Sequence, residues 1–214
     1  MDKNLKTFRI ITIGDPNVGK TSIIRRYIYN CFDENTMNTL GMNVCRQIIT
    51  INSGEKIKLE IVDTAGQERY KALGKNYYKN ANAVLFVFAL NNKDSFDNID
   101  GWVNLFKENG SDSTNILRYL IGNKNDLINK IEVEEKDINN DINNYKILDY
   151  KSVSAKKNND DIIKLFQEIG EKLYEKDKMN GDKKSKNIKL ARETNKKKNL
   201  LFNNKVFILK NNIL

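Results

Sequence analysis

The 214-residue chain contains no histidine, and this absence restricts the chemistry that it can perform. Without an imidazole, the chain has neither a histidine general base nor a histidine metal ligand. It has only two cysteines, Cys31 and Cys45, whose spacing fits neither a disulfide framework nor a zinc site. We therefore expect a protein of a reducing, cytosolic compartment.

Long apolar segments are also absent, and no run is long enough to cross a bilayer. The first ten residues, MDKNLKTFRI, mix charged with apolar side chains and do not begin with Met-Gly. We therefore expect neither a secretory leader nor N-myristoylation. No cysteine follows Cys45, so we also expect no prenylation of this chain.

Positive charge is concentrated near the C-terminus. Residues 177–214 hold 11 lysine or arginine and 3 acidic residues, and thus carry +8 of the net charge of +9. The nearly neutral remainder argues against a nucleic-acid-binding domain. We predict a globular domain over residues 1–176 and a flexible, basic tail over residues 177–214. Three interpretations of the tail stay open: contact with anionic membrane, docking on a partner protein, or a solvated run.

Apolar segments separated by polar, glycine-containing segments predict an α/β fold. The predicted strands are residues 8–14, 44–51, 56–62, 83–90, 117–122 and 147–153. The predicted helices are residues 20–29, 67–80, 94–109 (capped by Asp94 or Ser95), about 132–144, and 160–174. The second and third strands flank Asn-Ser-Gly-Glu, which predicts a hairpin. Together these elements predict a mostly parallel six-stranded sheet with one antiparallel edge strand and helices on both faces.

Residues 14–21 (GDPNVGKT) match the pattern GxxxxGK[ST] between a predicted strand and a predicted helix. Backbone N–H groups of such a loop surround phosphate oxygens, and the helix N-terminus adds its positive dipole end. In this pattern Lys20 places a charge at the β and γ oxygens, and the Thr21 hydroxyl ligates Mg²⁺. The residues that we expect to contact the nucleotide here are Asp15, Asn17, Val18, Gly19, Lys20, Thr21 and Ser22.

A second motif, Asp-Thr-Ala-Gly-Gln-Glu at residues 63–68, follows the second hairpin strand. Asp63 is suited to hold Mg²⁺ through water, and the N–H of Gly66 is suited to approach a γ-phosphate. Gln67 is suited to orient an attacking water molecule. An aspartate-glycine turn alone is usually only a turn, so this prediction depends on the phosphate loop.

Two further motifs follow the last two strands. In Asn123-Lys124-Asn125-Asp126, the Asp126 carboxylate is suited to accept two N–H bonds from guanine, a donor pair that adenine lacks. In Ser154-Ala155-Lys156, the backbone N–H of Ala155 is suited to donate to guanine O6. All the motifs fall at the carboxyl ends of predicted strands, where ligands bind in such folds. The residues assigned to base binding are Asn123, Lys124, Asp126, Ser154, Ala155 and Lys156.

In this order the motifs resemble those of the Ras superfamily of small GTPases over about residues 7–175. Segments 58–61, 69–73 and 77–81 are most similar to the Rab family. The resemblance implies the small G domain of the P-loop NTPases. It also implies that Thr39 reaches Mg²⁺ and the γ-phosphate, and that Phe32 packs on the guanine edge.

The same resemblance implies a GDP/GTP-switched regulator of vesicle and membrane trafficking that hydrolyses GTP to GDP and phosphate. Its catalytic residues would be Gln67, Lys20 and Thr39, and its magnesium ligands Thr21, Thr39 and Asp63. An exchange factor, a GTPase-activating protein and effectors would bind segments 36–46 and 64–80. We expect a monomer that is cytoplasmic or peripheral on the cytosolic face of an endomembrane, with no nucleic-acid partner.

The chain departs from the family pattern at several positions. Pro16 lacks an N–H group and, with Asn17, stands where many relatives have small residues. Val44 and Val62 replace two aromatic residues that Rab partners often contact. A nucleotide-dependent binding module with negligible hydrolysis therefore stays open as an alternative. An ATP-using P-loop enzyme is a further alternative, although Asp126 argues against it.

Overall fold

A computed structural model of the chain describes residues 5–34, 39, 42–64, 78–109, 116–157 and 159–181. The strands are β1 (Thr7–Ile13), β2 (Met42–Thr50), β3 (Lys56–Thr64), β4 (Ala83–Ala89), β5 (Leu117–Asn123) and β6 (Asp149–Ser152). The helices are α1 (Lys20–Tyr29), α2 (Lys93–Asp97), α3 (Ile99–Asn109), α4 (Glu135–Asn144) and α5 (residues 160–181). A short 3₁₀ turn covers Ile128–Lys130.

The six strands form one sheet in the order β2-β3-β1-β4-β5-β6. All neighbouring pairs are parallel except β2 and β3, which form an antiparallel hairpin at one edge. The hairpin turn contains Gly54 at φ +91°, a left-handed conformation that favours glycine. The predicted α/β fold, with a mostly parallel sheet and one antiparallel edge strand, is confirmed.

Helices cover the sheet on both faces, and this explains the composition of its central strands. Every residue of β4 (AVLFVFA) and β5 (LRYLIGN) is buried, as expected for strands that are covered on both sides. On one face, side chains of β1, β4 and β5 form a core with α3 and α4 that includes Phe86, Trp102 and Phe106. On the other face, the rings of Tyr27 in α1 and Phe166 in α5 stack 4.2 Å apart.

The predicted helix over residues 94–109 consists of two helices, and neither Asp94 nor Ser95 caps it. The cap is Asn92, whose side chain accepts a hydrogen bond from the N–H of Ser95 at 2.9 Å. Asn98 separates α2 from α3 while remaining close to helical geometry, at φ −73° and ψ −7°. An apolar periodicity that continues through this position cannot reveal such a short interruption.

Other boundaries also differ from the predictions. The helix predicted from about residue 132 begins at Glu135. The last predicted strand is shortened to Asp149–Ser152, because the N–H of Ile147 donates back to Ile142 in α4. The last helix extends past residue 174 to residue 181. Most of the helix predicted over residues 67–80 lies outside the described residues.

The chain divides into two compact units, residues 1–173 and 174–214. The first unit contains the sheet, α1 to α4 and the beginning of α5. In the second unit the same helix continues to residue 181. None of the helices in the described part of the chain is both long enough and apolar enough to cross a membrane.

Candidate nucleotide site

The loop between β1 and α1 has a backbone that its sequence explains. Gly14, Asn17 and Gly19 all have positive φ angles, of 150°, 60° and 94°. A side chain at Gly14 would begin 2.0 Å from the carbonyl oxygen of Val87, so only glycine fits there. Asparagine is among the few other residues that tolerate a left-handed conformation. The two glycines and the asparagine therefore permit the positive φ angles of this loop.

Lys20 is the first residue of α1, and its side chain is 5% exposed. Its Nζ donates to the carbonyl oxygens of Gly14 at 2.8 Å and Asp15 at 2.7 Å. Burial lowers the pKa of Lys20 to about 8, although the negative charges of Asp63 and Asp15 oppose the shift. Two carbonyl oxygens of the loop therefore hold the buried ammonium group of Lys20.

Three side-chain oxygen groups meet beside this lysine. The Oγ1 atoms of Thr21 and Thr39 lie 2.6 Å apart, and Thr21 Oγ1 also donates to Asp63 Oδ2 at 2.8 Å. Asp63 is 3% exposed, and its Oδ1 has no hydrogen-bond partner. Burial raises the pKa of Asp63, against the hydrogen bond from Thr21 and the charge of Lys20. A buried carboxylate oxygen without a partner, beside two hydroxyls, suits a hard divalent cation.

The other end of the site is built from the loops after β5 and β6. The side chain of Asn123 donates through Nδ2 to the Val18 carbonyl at 2.8 Å, and its Oδ1 accepts from the N–H of Ala155 at 3.2 Å. This buried amide therefore joins the phosphate loop to the last loop. The Ala155 N–H, which we predict as a donor to guanine O6, is engaged with Asn123 in this structure.

The side chains of Ser154 and Asp126 are paired across the two loops that we predict to bind the base. Ser154 Oγ donates to Asp126 Oδ1 at 2.5 Å, and it accepts from the N–H groups of Lys156 and Lys157. Asp126 therefore has one oxygen fixed by the protein. Lys124, at φ 65°, has its pKa lowered by burial, with the Asp126 charge opposing that shift.

Arg26 supports the Ser154–Lys156 loop from α1. Its Nε donates to the Ala155 carbonyl at 2.8 Å, and its Nη2 donates to the Lys156 carbonyl at 3.1 Å. Its Nη1 donates to the carbonyl and side-chain oxygens of Asn30, at the end of α1. Lys156 also forms an ion pair with Glu34, which closes one side of the site.

One cavity of about 440 Å³ connects the two ends. The predicted residues that line it are Asn17, Gly19, Lys20, Thr21, Ser22, Phe32, Thr39, Asn123, Lys124, Asp126, Ala155 and Lys156. Four others do not line it but contact residues that do: Asp15, Val18, Asp63 and Ser154. The predicted Gly66 and Gln67 lie outside the described residues.

The sequence did not indicate several residues of the site. Pro16, Asp33, Glu34, Thr64 and Leu127 also line the cavity. Of these, the sequence distinguishes Pro16 by its missing N–H and includes Thr64 in the motif of residues 63–68, but it assigns neither of them to nucleotide binding. The supporting roles of Arg26, Asn98 and Trp102 likewise went unpredicted. The spacing of Asn98 and Trp102, one helical turn apart, is a signal that they share a helix face, but it does not say what they contact.

The two valines at the unusual positions are cross-strand neighbours. Val44 in β2 lies opposite Val62 in β3. Val62 is fully buried, and Val44 is partly buried against the core. Neither position therefore presents an exposed aromatic side chain to a partner.

Comparison with known proteins identifies the family. The Ras family model matches residues 9–175. The GTP-binding protein YPT52 of Saccharomyces cerevisiae is 36% identical, over 78% of this chain and 82% of the relative. The Ras-related protein Rab-30 of Homo sapiens is 32% identical over 81% and 83%, and Rab-19 of Rattus norvegicus is 32% identical over 78% and 76%. The chain therefore belongs to the Ras family, and within that family it is a Rab-like small GTPase.

Proposed function

We propose that this protein is a GDP/GTP-switched regulator of membrane trafficking that binds guanine nucleotide with Mg²⁺ and hydrolyses GTP. The observation that carries the proposal is the single cavity with Lys20 and Thr21 at one end and Asp126 at the other. This arrangement offers a positive charge to phosphates and a carboxylate to the paired N–H groups of guanine.

Thr21, Thr39 and Asp63 are the residues that would hold magnesium in this proposal. They supply only oxygen ligands, as Mg²⁺ prefers, and the partnerless Oδ1 of Asp63 suits a bound cation or its water. When bound there, the ion would supply charge neutralisation for the β and γ oxygens of the nucleotide.

Three side chains and one backbone N–H group of the protein have separate roles in hydrolysis. Gln67 orients a water molecule in line with the γ-phosphorus. The water oxygen forms a bond to that phosphorus as its bond to the β–γ bridging oxygen breaks, and GDP, phosphate and a proton are released. Lys20 stabilises the negative charge that develops on the leaving oxygens. In the GTP state Thr39 and the N–H of Gly66 contact the γ-phosphate. Loss of this phosphate releases residues 36–46 and 64–80, which we call the switch segments.

Base choice is the first test. The protein should bind GTP in the presence of Mg²⁺, and excess ATP should fail to displace it. Asp126→Asn exchanges a double acceptor for an amide, so GTP affinity should fall, whereas Asn125→Ala in the same loop should change it little. A preference for ATP in the unmodified protein would overturn the proposal.

Hydrolysis requires a separate test, because a binding module without turnover would pass the first one. Single-turnover GTP hydrolysis should be slow alone and faster with an activating protein, since no arginine of the phosphate loop is available to act in cis. Gln67→Leu should abolish the stimulated rate and leave GTP binding intact. Absence of turnover under both conditions would favour the binding-module alternative.

The boundary at residue 176, the monomeric state and a membrane role for the tail belong to the same proposal. Residues 177–214 carry a net charge of +8, which suits contact with an anionic membrane surface. Exchange factor, activating protein and effectors bind the switch segments 36–46 and 64–80.

The membrane role of the tail can be tested by localisation. Cytosolic-face localisation should be lost in a chain ended after residue 181, which keeps all of α5. It should also be lost in the full-length chain with Lys196, Lys197 and Lys198 changed to glutamine. Unchanged localisation of both variants would remove the tail from the proposal.

A further inference from the structure

The Asp15 carboxylate points away from the nucleotide cavity and toward α2 and α3. Its Oδ2 accepts from Asn98 Nδ2 at 2.7 Å, and its Oδ1 accepts from the indole Nε1 of Trp102 at 2.7 Å. Because a carboxylate only accepts hydrogen bonds, the amide of Asn98 must present its NH₂ group. Both oxygens of Asp15 are therefore fixed by donors from a neighbouring part of the fold.

The backbone of the same residue is part of the phosphate loop. The Asp15 carbonyl accepts from Lys20 Nζ at 2.7 Å, which is one of the two hydrogen bonds that locate the lysine. A displacement of Asp15 would therefore move an acceptor of the group that we assign to the phosphates. Asp15 thus connects the α2–α3 segment to Lys20 through only two hydrogen-bonded steps.

The two donors are fixed by helix geometry. Asn98 lies between α2 and α3, and its carbonyl accepts from the N–H of Trp102 at 3.2 Å, which makes the pair consecutive on one helix face. Trp102 is 4% exposed, and its ring belongs to the core between the sheet and α3. The indole ring is therefore held in place by packing, and its N–H points toward Asp15.

We propose that Asn98 and Trp102 are positioning residues for the phosphate loop, which they hold through the Asp15 carboxylate in the form that binds the nucleotide's phosphates. Neither residue lines the cavity, so both act through Asp15. The proposal rests on the guanine-nucleotide-binding function given above.

Trp102 is the only tryptophan in the chain, so its indole N–H gives a single, unambiguous NMR signal. In the full-length protein this signal should shift when GDP and Mg²⁺ are added, because the loop that accepts its hydrogen bond is then loaded. The shift should be much smaller in Asp15→Ala. An indole signal that is indifferent to GDP in the unmodified protein, at concentrations where GDP binds, would overturn the proposal.

Two substitutions test the donors directly. Trp102→Phe keeps an aromatic ring but removes the N–H, and Asn98→Ala removes an exposed amide at little cost to packing. Each should raise the GDP dissociation rate about tenfold, as expected for the loss of one hydrogen bond to a charged group. Asn104→Ala is the matched control for Asn98, because Asn104 is exposed on α3 and its amide donates at 3.2 Å to Asp100.

A double-mutant cycle separates positioning from general stability. If the donors act through Asp15, then Asp15→Ala combined with Asn98→Ala should release GDP no faster than Asp15→Ala alone. Additive effects, or wild-type dissociation rates in both Asn98→Ala and Trp102→Phe, would overturn the proposal. Should Trp102→Phe fail to fold, Asn98→Ala and its cycle decide alone. Failure of the unmodified protein to bind GDP would instead refute the proposed function.

Discussion

At the scale of single residues, Gly19 shows why the phosphate loop accepts so little variation. A Cβ atom there would lie 2.2 Å from Asn123 Nδ2, the atom that donates to Val18, and the backbone has φ +94°. A side chain would therefore both strain the backbone and push aside the amide that joins two loops.

We predict that Gly19→Ala sharply weakens GDP binding and lowers the free energy of unfolding. Gly54→Ala is a matched control, because Gly54 has nearly the same φ, +91°, but no atom within 4 Å of the added Cβ. The control should show only the backbone cost of about 1–2 kcal/mol in stability and unchanged GDP affinity. Equal effects of the two variants on GDP titrations would contradict a role for the contact with Asn123.

Lys20 makes the affinity for nucleotide depend on pH. Its pKa is lowered to about 8, so in the nucleotide-free protein it loses its proton as pH rises through that value. Phosphates bind the protonated form, and binding above this pH must take up a proton. We predict that GDP affinity is insensitive to this group below about pH 8 and falls above it, by up to about tenfold per pH unit.

The measurement is a series of GDP titrations between about pH 7 and 10. Lys20→Arg keeps its charge throughout this range, so its affinity should fall less steeply above about pH 8 than that of the unmodified protein. A wild-type affinity that stays constant across the range would show that the lysine does not lose its proton in the free protein.

Individual residues of this site can be predicted from the sequence where one continuous loop carries all the interacting groups. Residues 14–21 could be interpreted because glycines, lysine and threonine follow one another at fixed spacing. The hydrogen bonds of the Asp15 carboxylate could not be predicted, because its partners lie more than 80 positions away and no local pattern relates an aspartate to Asn98 and Trp102. Long-range contacts of this kind depend on the tertiary packing of α3 against the core.

At the scale of elements, α1 links the two ends of the nucleotide site. It begins at Lys20 and carries Arg26 six residues later, where the guanidinium donates to the Ala155 and Lys156 carbonyls. The same side chain bonds Asn30, whose left-handed conformation ends the helix at φ 50°. A single arginine thus fixes the loop of residues 154–156 relative to the helix that begins at Lys20.

We predict that Arg26→Lys accelerates GDP release several-fold, because a lysine cannot reproduce the planar fork that contacts two carbonyls and the helix end together. Arg25→Lys, one position earlier on the same helix, serves as the control and should release GDP at the wild-type rate. Measured rates that are the same for both variants would mean that Arg26 does not support the loop.

The strands were easier to predict than the helix boundaries. The run in β4 is continuously apolar because both faces of the strand are covered, and a turn with Gly54 marks the hairpin. The interruption at Asn98 left no trace in the apolar periodicity, because its geometry stays close to helical. The beginning of β6 is displaced by a hydrogen bond between Ile147 and Ile142, which only the folded chain can make.

At the scale of the whole molecule, the site is assembled from loops that are distant in sequence. Residues near positions 20, 40, 63, 123 and 155 meet there, and hydrogen bonds of Thr21, Asn123 and Arg26 join them. A ligand that spans the cavity adds further contacts between these segments.

We predict that removing nucleotide with a chelator and phosphatase lowers the melting temperature, and that adding GDP with Mg²⁺ restores it. Above saturation, each tenfold increase in free GDP should add about 1.4 kcal/mol to the free energy of unfolding, because GDP binds the folded state only. Thermal unfolding across a GDP series measures this effect, with ATP at equal concentration as the control. An equal shift with ATP would contradict selection of guanine at Asp126.

The two-ended cavity has one more consequence, which concerns pieces of the ligand. Pyrophosphate can meet Lys20 and Thr21, and guanosine can meet Asp126, but neither fragment reaches both ends. When the 5′-oxygen of the ribose joins the two fragments in GDP, the second contact forms at the high effective concentration that the first one creates. GDP should therefore bind far more tightly than either fragment, and a mixture of the two fragments should compete with it poorly. We therefore expect the protein to bind the intact nucleoside diphosphate tightly and its separate fragments only weakly.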